Sequence, residues 1–459
     1  MLTRCIHIPR IKKKRVCLCW FTWCVFLAGL VAMDIIVQRT KVIVEHISAQ
    51  QPMQRFFDAR RADLNRTFMS LDSGYIHILS AVAQNSSANS FYDNIVLSGW
   101  QTPTDDFHSE LKCCLFYANP LKAFVANLTQ IRNSTNLRHS EIEAKQYVCP
   151  NVYSNRNISP IAISLTTGER CPEDLTKYAT VDFPHKAQNG SLGVCAKLVF
   201  GNISAASLVE WFEYQRLMKV DKVIAYTYKL NEEAMKVLKY YSSTGLVEFL
   251  PFSLPHREKY HRDVGVKNLN SWNDEEVAVF DCQNRLSGYK YLGLYDFDEF
   301  IYSKNAKNLK DLLMKLGKLY PNSAGYTFKT EVYATTWGER QNNSIENDLT
   351  IGRYNQRGDP MRDRVKSIVI TDRLMPGRMS THGYWSKKPY KKSIVKESYA
   401  VLKHYRTCRK EWMKNNGAMC YKLIKRHEDN TLVQVADLIR ENVINVMERI
   451  KEEMSKSSY

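Results

Sequence analysis

Residues 289–301 read Tyr-Lys-Tyr-Leu-Gly-Leu-Tyr-Asp-Phe-Asp-Glu-Phe-Ile, an apolar run that ends in Asp296 and Asp298. In open α/β sheets ligands gather at the carboxyl ends of strands, so carboxylates placed there face a bound molecule and not the core. At i and i+2 on an extended chain the two aspartates share one side, a spacing that grips one hard divalent cation whose shell is completed by substrate phosphates.

The stretches upstream supply the sheet to which that run belongs. LGVCAKLVF (192–200), KVIAYTY (222–228) and LVEFLPF (246–252) read as strands. Between them fall helical patterns: one opened by a capping box at Ser207-Leu-Val-Glu210, with Leu208, Trp211, Phe212 and Met218 at helical spacing, then residues 231–244 and 273–287. Strands that alternate with helices imply right-handed βαβ units and a mostly parallel, Rossmann-like sheet. Downstream, a helix over 308–319, a strand over 324–333 and a C-terminal amphipathic helix complete an α/β class assignment.

The chain has 459 residues and a formal charge of 65 − 47 = +18. Its 44% hydrophobic and 24% charged residues exclude wholesale disorder, a collagen and a polytopic membrane protein. Thirteen basic residues against Glu397 and Glu411 fall between Lys387 and Arg426. That cluster steers an anionic substrate or forms a solvated face; no nucleic-acid recognition module accompanies it.

The N-terminus indicates a compartment. Arg4, Arg10, Lys12, Lys13, Lys14 and Arg15 precede an apolar run from Val16 to Met33 that resumes at Ile35–Val37. At 1.5 Å per residue this crosses a hydrocarbon core of about 30 Å, and the positive flank keeps the N-terminus cytoplasmic. An uncleaved signal anchor over 16–37 is expected, with the rest of the chain lumenal. Of twelve cysteines, eight lie beyond the span (Cys113, Cys114, Cys149, Cys171, Cys195, Cys282, Cys408, Cys420) without zinc-site spacing, so up to four disulfides are expected, with Cys113 and Cys114 directed to different partners. Glycosylation sequons at Asn65, Asn85, Asn127, Asn133, Asn157, Asn189, Asn202 and Asn342 all follow the span. The expected organisation is a tail (1–15), the anchor (16–37), a stem (38–110), a lumenal subdomain of short strands (111–190) and a catalytic domain (191–459).

Two other origins for an aspartate pair after a strand fit poorly. An EF-hand requires Gly and Glu where Ile301 and Lys307 stand. A phosphatase of the haloacid-dehalogenase type also places D-x-D after a strand, and Gly358-Asp359-Pro-Met-Arg-Asp363 mimics its acidic motif; but Glu299 replaces the expected Thr or Val, and IGRYNQR before Gly358 is too polar for a buried strand.

LVEWFEYQRLMKVDKVIAYTY (208–228), DCQNRLSGYKYLGLYDFDEFI (281–301) and LKHYR (402–406) occur in an order and spacing that resemble glycosyltransferase family 92, over about residues 150–430. The resemblance implies a GT-A fold, a UDP-sugar donor (UDP-galactose in characterised members), Mn²⁺, transfer to a glycan acceptor with inversion, and type II Golgi topology. On that reading Asp296 and Asp298 hold the metal, with His382 or His404 completing its shell. Glu331 or Glu339 takes the acceptor proton, and Lys197 and Arg285 contact the nucleotide. A catalytically silent, lectin-like glycoprotein on the same scaffold is the alternative of a different class.

Overall fold

The computed structural model describes residues 29, 31–36, 69–70, 75–85, 92–102, 111–119, 121–133, 142–255, 271–340, 349–407 and 426–456. It is a mixed α/β structure with two large sheets. Two compact units are distinguished: Met1–Ala62 with Ala118–Lys122, of which few residues are described, and Asp63–Tyr117 with Ala123–Tyr459, which contains the cores discussed below. Residues 31–36 of the expected anchor are helical, and most of 16–37 lies outside the described residues. Among the described residues no helix is long and apolar enough to cross a membrane.

Among the described residues the first sheet has nine strands between Met69 and Asp182. Two of them, Ile76–Gln84 and Asn94–Gln101, fall in the segment expected to be stem, and they pair antiparallel along their whole length. Their side chains are buried almost without interruption, His77, Ser80 and Ser98 included, so the polar–apolar alternation of a one-sided strand never appears in the sequence. Adjacent Cys113 and Cys114 project to opposite faces of one strand and pair with Cys149 and Cys171 respectively. Cys408 and Cys420 lie outside the described residues.

The second sheet has eleven strands among the described residues. In chain order its elements begin β1 (Leu192–Gly201), α1 (Ala205–Leu217), β2 (Lys222–Leu230), α2 (Glu232–Ser243), β3 (Val247–Pro251), α3 (Ser271–Arg285), β4 (Tyr291–Leu294) and β5 (Glu299–Tyr302). They continue with α4 (Leu309–Leu319), β6 (Ser323–Ala334), α5 (Thr350–Arg353), β7 (Gln356–Arg357), β8 (Met361–Ile370), the hairpin β9–β10 (Leu374–Ser380, Gly383–Ser386), which is a separate two-stranded sheet, β11 (Lys391–Ile394), β12 (Val401–Arg406), β13 (His427–Glu428) and α6 (Val433–Lys456). Strands β3-β2-β1-β4 lie parallel in that order, β8 joins β4 antiparallel, and β6 follows β8. Alternation in the parallel strands explains their continuous apolar run. Val194, Val223 and Ala225 face one core with Trp211 and Phe212 of α1, while Cys195, Ile224 and Tyr226 face the other with Phe280 of α3. The Cys195–Cys282 disulfide ties β1 to α3 across that second core.

Helix α1 starts three residues before the capping box read from the sequence. Ser204 caps it by accepting the Ser207 N–H, and Glu210 is directed elsewhere, accepting the N–H groups of Thr350 and Ile351 at 2.8 Å each. The carboxylate thereby caps α5 from the side, a tertiary use of a residue whose spacing imitates a local one.

Candidate active site

The site is assembled where β1 and β4 end. A bulge between Cys195 and Leu198 breaks the register of β1 against β2, and within it Lys197 adopts φ 52°. Bulges re-aim side chains; this one sets the Lys197 ammonium, 5% exposed, at 3.0 Å from Asp296 Oδ1 and 3.3 Å from Glu275 Oε2. On the other side of Asp296 stands Lys366 from β8, 1% exposed, at 2.9 Å from Oδ2. Although burial opposes its charge, the two ammonium groups hold the Asp296 carboxyl well below the usual carboxylate range. Lys197 is raised for the reciprocal reason: burial lowers it, but Asp296 and Glu275 outweigh that cost.

After Leu294 the chain turns instead of continuing as a strand. Glu299 N–H donates to Asp296 O at 3.1 Å, and the Glu299 carboxylate returns to accept the Asp296 N–H at 2.6 Å. This turn separates the aspartates. Asp296 faces the lysines, whereas Asp298 faces His404 of β12, whose Nε2 lies 3.2 Å from Asp298 Oδ2. Glu299 and His404 are cross-strand partners of β5 and β12, which brings Glu299 Oε1 to 3.6 Å from His404 Nδ1. Single ligand atoms of Asp298, Glu299 and His404 all lie within 4.8 Å of one another. Burial opposes protonation of His404, but Asp298 and Glu299 raise it above its ordinary value. Glu299 is raised chiefly by burial.

A divalent cation fits this trio. Two carboxylates and an imidazole are a borderline N/O donor set suited to a first-row transition ion, and the buried His404 Nδ1 has no hydrogen-bond partner. Beside it opens a cleft of about 590 Å³ whose wall includes Lys197, Glu210, Glu275, Asp296, Asp298 and Arg406. Burial, reinforced by Arg364, lowers the Arg406 guanidinium to about 10. Burial likewise pushes Glu210 up to about 7 against the opposing amides of Ile351 and Thr350.

Of the residues expected at the site, the structure brings together Lys197, Asp296, Asp298 and His404. His382 stands at the turn of the β9–β10 hairpin with Nδ1 3.3 Å from Val365 O, and it is not part of the trio. Partial burial and the charges of Lys366 and Lys197 push its imidazole down to about 4.

Three residues are placed elsewhere. Arg285, at the end of α3, is buried against Asp281 (2.8 Å), Asp182 (2.7 Å) and Glu248 (3.8 Å), and it does not line the cleft. Glu331 pairs in register with Lys403, one position out of phase with His404, so it projects from the opposite face of the sheet. There Lys403 (3.3 Å) and Arg357 (3.4 Å) hold it. Glu339 is half-exposed, 3.9 Å from Arg353, and off the cleft. Asp359 of the phosphatase-like motif bonds His427 at 2.7 Å, remote in the sheet from Asp296. Among sequon asparagines, Asn85, Asn127, Asn133, Asn157, Asn189 and Asn202 are exposed, while Asn65 and Asn342 lie outside the described residues.

Sequence reasoning missed Glu299, Lys366, Glu275 and Arg406. Lys366 had a visible signal, a lone cation inside the strand VKSIVI, and Glu299 stands next to the aspartate pair.

The model of glycosyltransferase family 92 matches residues 190–451, more than half of the chain. A curated relative, "Beta-1,4-galactosyltransferase galt-1" of Caenorhabditis elegans, is 24% identical over 241 residues, covering 51% of this chain and 52% of its own length. The chain thus matches about half the length of that relative. Among solved structures, HddC from Yersinia pseudotuberculosis matches at TM-score 0.23 and 9% identity, covering 47% of this chain and 89% of that one. An apo UDP-glucose pyrophosphorylase matches at TM-score 0.22 and 10% identity, covering 55% and 98%.

Proposed function

The chain belongs to glycosyltransferase family 92, and from that premise we propose that it transfers a hexose from a UDP-sugar to a hydroxyl of a glycan acceptor, with inversion at the anomeric carbon. The name of the relative favours galactose. We further read the second sheet as a GT-A arrangement working with Mn²⁺ in the Golgi lumen, anchored in the bilayer through 16–37. The observation that carries the reading is the meeting of two charge clusters at the strand ends: Asp298, Glu299 and His404 within 4.8 Å, and Asp296 clasped by Lys197 and Lys366.

Asp298, Glu299 and His404 would hold the ion, which when bound supplies a Lewis-acidic counter-charge for the donor diphosphate. The remaining work falls to the chain's own groups. Lys197 and Lys366 are fixed by Asp296 before any ligand arrives, so they offer positive charge to the leaving UDP without reorganisation. Arg406, on the same cleft wall, supplies a planar donor set for phosphate oxygens.

The acceptor hydroxyl needs a proton acceptor in the cleft. Glu210 commits both carboxylate oxygens to the Thr350 and Ile351 amides, and Asp296 and Asp298 are engaged as described. We therefore assign that role to Glu275, which lines the cleft from the first turns of α3 and pairs with Lys197 through Oε2 alone, in place of Glu331 or Glu339.

The test is a panel of UDP-sugars incubated with the detergent-purified full chain and Mn²⁺, scored for UDP release with and without acceptor glycans, with product anomers assigned by NMR. Acceptor-dependent release from one UDP-hexose, abolished by a chelator, is expected. Absence of turnover from every donor, alongside retained sugar binding, would establish the lectin-like alternative instead.

A further inference from the structure

A second cavity, of about 840 Å³, lies away from the strand-end cleft and shares none of its lining residues. Its volume is within the roughly 300–1,000 Å³ typical of pockets that enclose a small organic ligand. The wall is contributed by the end of the first-sheet strand Ile76–Gln84, by Tyr92, by the segment around His185, by α3 through Gln283, and by Lys387. Asn85, the asparagine of the sequon Asn85-Ser86-Ser87, is on that wall and exposed.

We propose that a glycan carried by Asn85 folds back into this cavity, where its inner sugars are a packed part of the protein. The proposal rests on the lumenal placement given under the proposed function, since only there does the sequon receive a glycan.

Three features of the wall match a neutral, polyhydroxylated occupant. The first is an unmet acceptor: Gln283 is 8% exposed and its Oε1 has no hydrogen-bond partner. A buried acceptor left unpaired costs about 1–3 kcal/mol, and a sugar hydroxyl or acetamido N–H would satisfy it. Aromatic surface is the second. Tyr92 lines the cavity and packs on Phe183, ring centroids 5.3 Å apart, with Phe183 45% exposed. Tyr92, part-buried on the wall and braced by Phe183 behind it, provides the apolar face that the C–H side of a pyranose covers.

The third is a rigid attachment point. Gln84, the residue before Asn85, is held by its side-chain bond to Asn284 at 2.5 Å and by Asp93 N–H to its carbonyl at 3.1 Å. A glycan leaving from that point is confined near the cavity, and confinement by a short tether corresponds to an effective concentration on the order of millimolar. Asn157, exposed at the end of a short helical turn, does not line this cavity and provides a comparison site within the same chain.

The test is site-resolved deglycosylation of the full chain made in a secretory host. The native protein is treated with a peptide-N-glycosidase, and glycan remaining at each sequon is followed by peptide mass spectrometry. Release at Asn85 at least tenfold slower than at Asn157, with the difference abolished by denaturation, is expected. Equal rates, or glycans elsewhere with Asn85 bare, would overturn this inference alone; a chain bare at every sequon would overturn it together with the lumenal placement. Gln283→Leu, which removes the hydrogen-bonding group from the wall, should speed release at Asn85 towards the Asn157 rate. Protection undiminished in that variant would show that the glycan is shielded by some other surface.

Discussion

Replacement of Arg285 by Met separates two accounts of one residue. Read from the sequence, an arginine on the helix before the aspartate-bearing strand is a phosphate contact. In the structure its guanidinium is a staple between the two sheets: Nε bonds Asp281 of its own helix, Nη2 bonds Asp182 at the end of the first sheet, and Nη1 approaches Glu248 of β3. Asp281 also accepts from Ser80 Oγ at 2.6 Å and Tyr226 OH at 2.8 Å, so it keeps two neutral donors in the variant, whereas Asp182 and Glu248 lose a cation. Breaking a buried pair by removing one partner costs about 3–5 kcal/mol. With an unfolding entropy of about 2.1 cal/mol/K per residue over roughly 400 residues, that lowers Tm by about 4–6 °C.

The assay is thermal denaturation followed by circular dichroism, beside calorimetric titration with UDP and Mn²⁺. Arg285→Met should melt earlier, and its UDP affinity below the transition should stay within about twofold of wild type. Adding Asp182→Asn, which removes one of the carboxylates that the guanidinium paired, should recover part of the loss, because the two positions share one ion pair. An unchanged Tm with UDP affinity down tenfold or more would refute the staple and restore the nucleotide contact.

The four remaining predictions concern the site, the sheets and pH. Asp298→Asn should weaken Mn²⁺ binding by more than tenfold in a titration without nucleotide, whereas Asp296→Asn should spare Mn²⁺ and weaken UDP by loosening Lys197 and Lys366; equal losses in both variants would contradict the division of labour between the aspartates. Glu331→Gln should keep turnover within about tenfold, since loss of a general base costs about 10²–10⁴, and a thousandfold fall in kcat at unchanged Tm would place it in the reaction after all. A fragment beginning at residue 190, where the family match begins, should not melt cooperatively, because Asp274, Asp281, Asn284 and Arg285 lose Trp100, Ser80, Gln84 and Asp182; a soluble fragment with the parent Tm would disprove this. Burial opposes the charge of Asp429, yet Lys403 holds its carboxyl below the usual range, so its folded value lies under the unfolded value of about 3.9; the stability it contributes is complete above that pH and is lost progressively as pH falls from there through the lower folded value. Between pH 5 and 3 wild type should therefore lose stability more steeply than Asp429→Asn in urea denaturation, and parallel curves would count against the assignment.

Where periodicity reports burial, the fold was legible. The strands and helices from Leu192 to Ala334 stand within a few residues of their expected bounds, because parallel strands covered on both faces need continuous apolar runs and the helices between them need one apolar stripe. The first sheet was half hidden for the same physical reason. Ile76–Gln84 and Asn94–Gln101 bury Ser80 and Ser98 as well as aliphatics, because α3 presents Asp281 and Asn284 to meet them. Polar residues with polar partners on a distant helix look solvated in a linear sequence, and no local pattern distinguishes the two cases.

The aspartate couplet shows the same limit more sharply. A two-residue spacing specifies a shared side only while the chain stays extended, and here β4 ends at Leu294, so Asp296 and Asp298 belong to a turn. What holds the turn is Glu299, buried and bonded to the Asp296 amide, a residue that registers in the sequence only as a third acid. His404 becomes its neighbour because β5 and β12 pair there, across more than a hundred residues of intervening chain. Glu331 is separated from the His404 side by a single position in the same way: strand parity assigns position 332 of β6 to the His404 face and position 331 to the Lys403 face. Composition after a strand can therefore announce that a site exists. Which acids enter it is decided by turn geometry and by pairings that only the folded sheet contains.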